Sequence, residues 1–95
     1  MRKKKCRRIE ADHSKICFKP CGVKAIELEE VILFEDEAEA IRLADFEGLY
    51  QEECAKRMQI SRPTFVRIIA SARKKVADAI LYQKTLKIEG GKNVW

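Results

Sequence analysis

The sequence predicts a mainly α fold: a three-helix core containing a helix-turn-helix with a long third helix, preceded by an irregular basic N-terminal arm and flanked by short terminal strands. Three observations predict it. Apolar residues Phe65, Ile68, Ile69, Ala72, Val76, Ala79 and Ile80 recur at three- and four-residue steps, the period of one helix face. Ser61 and Pro63 stand at the start of that run, where an N-cap hydroxyl and a proline in the first turn both favour helix. A shorter stretch, Gln51 to Met58, with Cys54, Ala55 and Met58 on one face, ends three residues earlier. At 95 residues and 11.0 kDa, the chain has room for one compact domain and little room for a large catalytic cleft.

Taken in order, residues 1–24 show no helical or strand period and contain Pro20 and Gly22, so they read as a basic, cysteine-containing arm. From Ala25 to Phe34 the apolar residues Ile26, Leu28 and Val31 to Phe34 fit a short strand or extended lead-in. Asp36 and Glu39 have capping-box spacing. Ala38, Ile41, Leu43, Ala44 and Phe46 then line the buried side of a first helix, which Gly48 ends in the left-handed conformation. The second helix covers Gln51 to Met58, and the third runs from Arg62 to about Tyr82. Leu86, Lys87 and Ile88 alternate before Gly90 and Gly91, as in a short strand. The domain reading is therefore an arm over 1–24, a helix-turn-helix domain over 25–84 and a tail over 85–95.

Two helices joined by a tight turn need small and apolar residues at fixed offsets. Ala55 permits close approach, Cys54 and Met58 face the core, Ile60 plugs the turn, and Phe65 and Ile68 pack the third helix back onto the second. An ordinary helical hairpin without a ligand has the same requirements, so charge must separate the two. Residues 1–24 carry +7, residues 25–53 carry −10 and residues 54–95 carry +8, a net of +5. No carboxylate occurs between Arg62 and Val76, whereas a merely solvated helix usually mixes both signs. Rotating 100° per residue from Phe65 places Pro63, Arg67, Ala70 and Lys74 opposite the core, with Arg62, Val66 and Arg73 on the flank. Such a face suits the major groove: Arg67 can reach guanine acceptors, while Arg73, Lys74 and Lys75 meet phosphates.

The stretches Glu39-Ala40-Ile41-Arg42-Leu43-Ala44-Asp45, Glu47-Gly48-Leu49, Gln51-Glu52-Glu53 and Ser61-Arg62-Pro63-Thr64-Phe65 resemble an uncharacterised prokaryotic family of small predicted DNA-binding proteins. Cys6-Arg7-Arg8-Ile9, Phe18-Lys19-Pro20 with Gly22, Leu28-Glu29-Glu30 and Ile88-Glu89-Gly90-Gly91 extend the similarity over nearly the whole chain. The helix-turn-helix is similar to region 4 of bacterial sigma factors, which reads promoter DNA. That resemblance implies that Arg62, Pro63, Val66 and Arg67 face bases, with Thr64 beside them. Two positions depart from the pattern: Tyr50 stands where a capping Ser or Thr is expected, and Gln59 where Gly makes the turn. A left-handed non-glycine residue costs roughly 1–2 kcal/mol, which a core can offset.

Cys6, His13, Cys17 and Cys21 could supply four zinc ligands, but only one short-spaced pair is present, and ordinary reduced thiols are the simpler reading. Catalysis finds little support: His13 is the only histidine and no glycine-rich phosphate loop exists. The carboxylates between Glu27 and Glu53 read as an outward, solvated acidic face open to a protein partner. The longest apolar run is Val31 to Phe34 and the basic start has no apolar stretch after it, so no span or secretory signal is expected and the chain reads as cytoplasmic. The expectation is a non-enzymatic, sequence-specific binder of double-stranded DNA acting in transcription regulation. A homodimer is expected because one small module discriminates poorly. A metal- or thiol-dependent sensor with the same DNA-binding domain and an interaction module without DNA binding are the alternatives.

Overall fold

The computed structural model describes residues 9, 16–22, 24 and 27–90. Most of the arm, with Cys6 and His13, lies outside the described residues. The elements are β1 (Ile16–Phe18), β2 (Glu30–Phe34), α1 (Glu35–Ile41), a π turn (Arg42–Phe46), α2 (Gln51–Met58), α3 (Arg62–Leu81) and β3 (Thr85–Glu89). The chain is thus mainly α, with a three-stranded sheet of order β1-β3-β2. β3 pairs antiparallel with β1, Ile16 opposite Ile88, and parallel with β2, Leu33 opposite Ile88. A parallel pair needs a long crossover, and α1, α2 and α3 supply it. The segment read as an irregular arm therefore contributes a strand at 16–18, because β3 presents its free edge there.

α1 starts one residue before Asp36. Phe34 is its N-cap and has no side-chain acceptor, so only the return half of a capping box is made: the Phe34 N–H donates to Glu37 Oε1 at 2.9 Å. The expected Asp36–Glu39 box does not form. Glu39 accepts from Arg42 Nε at 3.0 Å and from its second guanidinium nitrogen at 2.9 Å. After Ile41 the helix widens into the π turn, where the Glu47 N–H donates to the Arg42 carbonyl at 2.8 Å. The extra residue per turn rotates the later side chains about the helix axis, so Phe46, expected on the buried side, is 83% exposed. Gly48 closes the segment at φ +75°.

Three carboxylates expected on an outward acidic face, Asp36, Glu37 and Glu39, are instead buried. Burying a charge is tolerable only when it is paired and hydrogen-bonded. Glu37 meets this condition through Lys75 Nζ at 2.7 Å and the Ser71 hydroxyl at 2.6 Å, which together tie the start of α1 to the middle of α3.

Tyr50 is the N-cap of α2 and makes no side-chain cap, and the C-cap is Gln59 with φ 59° and ψ 45°. Gln59 N–H donates to the Lys56 carbonyl at 3.1 Å and Ile60 N–H to the Ala55 carbonyl at 3.0 Å, the paired bonds of a Schellman ending. Ser61 caps α3 by accepting from the Thr64 N–H at 3.3 Å. Across this turn Ala40, Leu43, Cys54, Ala55, Met58, Phe65, Ile68 and Ile69 form one buried cluster, with Ile60 packed against it. A second cluster of Leu33, Ala38, Ala72 and Ile88 joins α1 and α3 to the sheet. Ile41 packs against both, so helices and sheet share one core.

Candidate nucleic-acid interface

The first half of α3 is anchored from inside by Phe65, Ile68 and Ile69, which leaves Arg62, Pro63, Val66, Arg67, Ala70, Arg73 and Lys74 exposed. Arg67 sits one turn after Thr64, close enough for its guanidinium to donate to Thr64 Oγ1 at 3.3 Å. The same hydroxyl oxygen accepts from Ser61 Oγ at 2.9 Å. Cap and arginine are thus linked, and the threonine holds part of the Arg67 head while the rest of its fork faces solvent. The i,i+3 spacing of Thr64 and Arg67 was a legible signal for this positioning role.

Arg62 is held against α2, its Nε donating to Gln51 Oε1 at 3.2 Å and its guanidinium 3.5 Å from Glu52. Arg73 makes a two-pronged contact with Asp45 of the π turn, at 2.6 and 3.2 Å; the hydrogen bond to Asp45 pushes its pKa up. Lys74 is exposed. Lys75 departs from the expected phosphate-facing set: it is turned inward to Glu37 and its Nζ lies 4.6 Å from the centre of the Phe34 ring. Helical rotation alone could not reveal this, because Glu37 is 38 positions away.

The outer face thus carries Pro63, Val66 and Ala70 as its apolar floor, Arg67 and Lys74 as its outward cations, and Arg62 and Arg73 at its margins beside Glu52 and Asp45. A phosphate approaching either margin would replace an exposed carboxylate. Such exchange is inexpensive, since exposed ion pairs contribute only about 0–1 kcal/mol.

Of the four cysteine and histidine residues weighed as metal ligands, Cys17 and Cys21 are exposed free thiols, and Cys6 and His13 lie outside the described residues. No group of three or more metal-ligating side chains occurs among the described residues. Among them, too, no helix is long and apolar enough to cross a membrane.

Residues 1–94 match the family model described as protein of unknown function DUF134. The chain belongs to that family. A UPF0251 protein of Prosthecochloris aestuarii is 57% identical over 90 residues, covering 95% of this chain and 58% of the relative. One from Thermoanaerobacter pseudethanolicus is 56% identical over 87 residues, covering 92% of this chain and 74% of the relative. A third, from Moorella thermoacetica, is 58% identical and covers 90% of this chain but only 58% of its own length. This DUF134 chain therefore spans little more than half of two of these relatives. No solved structure matches it.

Proposed function

We propose that this chain is a sequence-specific double-stranded DNA-binding protein that acts in transcription regulation, with α2 and α3 as a helix-turn-helix similar to sigma region 4 and α3 as the element that enters the major groove. The observation that carries the reading is the outer face of α3: no carboxylate between Arg62 and Val76, an apolar floor, and Arg67 presented to solvent from a threonine-held position. A guanidinium so placed can make a bidentate contact with guanine O6 and N7. Lys74, two turns further along, meets the backbone as a point charge, and Arg62 and Arg73 turn from their carboxylates to phosphates.

Selection of bound duplexes from a random pool, followed by titration of variants, tests it. Arg67→Ala should cost about 1–3 kcal/mol on the preferred site and relax specificity at one base position. Lys74→Ala should weaken all sequences about equally. Both side chains are exposed, so the melting temperature should stay put. Unchanged affinity and selectivity in Arg67→Ala, or no duplex retention at moderate salt in the parent, would remove the reading.

A further inference from the structure

Along the first half of α3 runs an apolar strip that the helix's own arginines leave bare. At 100° per residue, Pro63, Val66 and Ala70 fall within about 60° of one another. All three are exposed, Val66 to 39%. Long cationic side chains ordinarily lay their stems over such surface. Arg62, Arg67 and Arg73 are its neighbours along the helix, and each is drawn elsewhere. Arg62 turns back to α2, its Nε 3.2 Å from Gln51 Oε1. Arg73 is held by Asp45 of the π turn at 2.6 and 3.2 Å. Arg67 donates to Thr64 Oγ1 at 3.3 Å. Thr64 lies about 60° round the helix from Arg67 on one side, whereas Val66 lies about 100° away on the other. The strip therefore meets solvent directly, on the flank of Arg67 that Thr64 does not occupy.

We propose that Val66, with Pro63 and Ala70 beside it, is a specificity-determining contact for the C5-methyl group of a pyrimidine in the major groove. This contact rests on the DNA-binding reading and gives the apolar floor its ligand. Every charged side chain from Arg62 to Lys75 is a cation, so the surface around the strip favours a polyanion. Base edges in the major groove present hydrogen-bond donors and acceptors, and the one protruding apolar group among them is the C5-methyl of thymine. An apolar strip between cations thus has a single chemical counterpart there.

The dimensions agree. Pro63 to Ala70 is seven residues, about 10 Å at 1.5 Å per residue, or roughly three base steps at 3.4 Å. Val66 stands near the middle of that length and next to Arg67 in the chain, so the methyl it covers lies within about two base steps of the guanine that Arg67 reads. Thymine and 5-methylcytosine carry the methyl at the same ring position, and the experiment below separates these two sources.

Deoxyuridine substitution in the duplex that the full chain selects from a random pool is the test. Uracil keeps the hydrogen-bonding groups of thymine and lacks only the methyl. Replacing the thymine within two steps of the guanine that Arg67→Ala relaxes should lower affinity about fourfold, the equivalent of burying one methyl group. Val66→Ala should lower affinity for the thymine duplex by a similar factor and abolish the difference between thymine and uracil. Its melting temperature should hold, because Val66 is exposed and alanine favours helix. Cytosine and 5-methylcytosine at the same position identify the source of the methyl. Thymine binding best marks an unmodified site and 5-methylcytosine binding best marks a methylated one; both support the contact. Uracil tolerated at every position overturns it, as does a uracil penalty that Val66→Ala leaves unchanged. A parent that selects a sequence through Arg67 and ignores the methyl loses only this contact, whereas a parent that selects no duplex loses the DNA-binding reading with it.

Discussion

Buried Glu37 shows most clearly how a single residue's partner decides its role. Lys75 supplies the positive charge that Glu37 needs, and removing one member of such a pair leaves an uncompensated charge in the core. We expect Lys75→Met to lower stability by about 3 kcal/mol, read as a melting temperature lower by about ten degrees or more. The double change Glu37→Gln with Lys75→Met should recover part of the loss. Reduced DNA affinity at unchanged melting temperature would instead place Lys75 among the outward cations. Cys54 offers a second test. Its thiol is buried, donates to the Leu49 carbonyl at 3.6 Å, and has its pKa pushed above the ordinary 9.0 by burial. A folded pKa raised above the unfolded one gives stability that is complete below about pH 9 and lost as pH rises through the folded value. Thermal melts from about pH 9 upward should show that decline, and Cys54→Ala should flatten it. Alkylation of the native protein should label Cys17 and Cys21 and spare Cys54.

At the scale of elements, two of the three helices were legible almost to the residue. α2 and the start of α3 lie where capping chemistry and periodicity put them, because both signals act within a few residues of the backbone they satisfy. α1 differed. Its register is set by Ser71 and Lys75 reaching Glu37, and the π turn after it rotates Phe46 out of the core, neither of which leaves a local mark. The helix ends carry a prediction of their own. α2 ends at a left-handed glutamine, Gln59 at φ 59°, and a second, Gln83 at φ 56°, stands two residues beyond the end of α3. Replacing either with glycine removes about 1–2 kcal/mol of backbone strain, against the greater freedom glycine gives the unfolded chain. Gln59→Gly should therefore stabilise by about 0.5–1 kcal/mol, measured in urea melts. A loss of stability would show that the glutamine side chain contributes more than its backbone costs.

For the molecule as a whole, the sheet and the helices stand or fall together, since Ile88 of the central strand shares a buried cluster with Ala38 and Ala72. Ile88→Ala should cost about 2–4 kcal/mol and unfold both parts in one transition, with far-UV and near-UV signals lost at the same denaturant concentration. The charge blocks act at this scale too. Removing residues 2–8 takes away Arg2, Lys3, Lys4, Lys5, Arg7 and Arg8. If the arm neutralises phosphates, the log–log salt dependence of duplex binding should become shallower by up to about 0.9 for each phosphate it leaves uncovered, with the preferred sequence unchanged. A changed preference would mean that the arm reads bases.

Periodicity, the Ser61 cap and the offsets of Ala55, Ile60 and Phe65 are all short-range signals, so α2, the turn at 59–61, the capped start of α3 and the apolar residues that join them could be read from the chain alone. So could the absence of carboxylates from the outer face of α3. Tertiary structure decided which cations that face keeps. Lys75 turns to Glu37 and Arg73 to Asp45, partners 38 and 28 positions away, and the free energy of a charge depends on such distant neighbours rather than on its own helix. Tertiary structure decided, too, that two segments read as arm and tail lie edge to edge, Ile16 opposite Ile88, since a strand's hydrogen bonds are satisfied only by another strand. By the same pairing it set Phe18 across a groove from Ile80, two residues whose separation in the chain hides that they share one face.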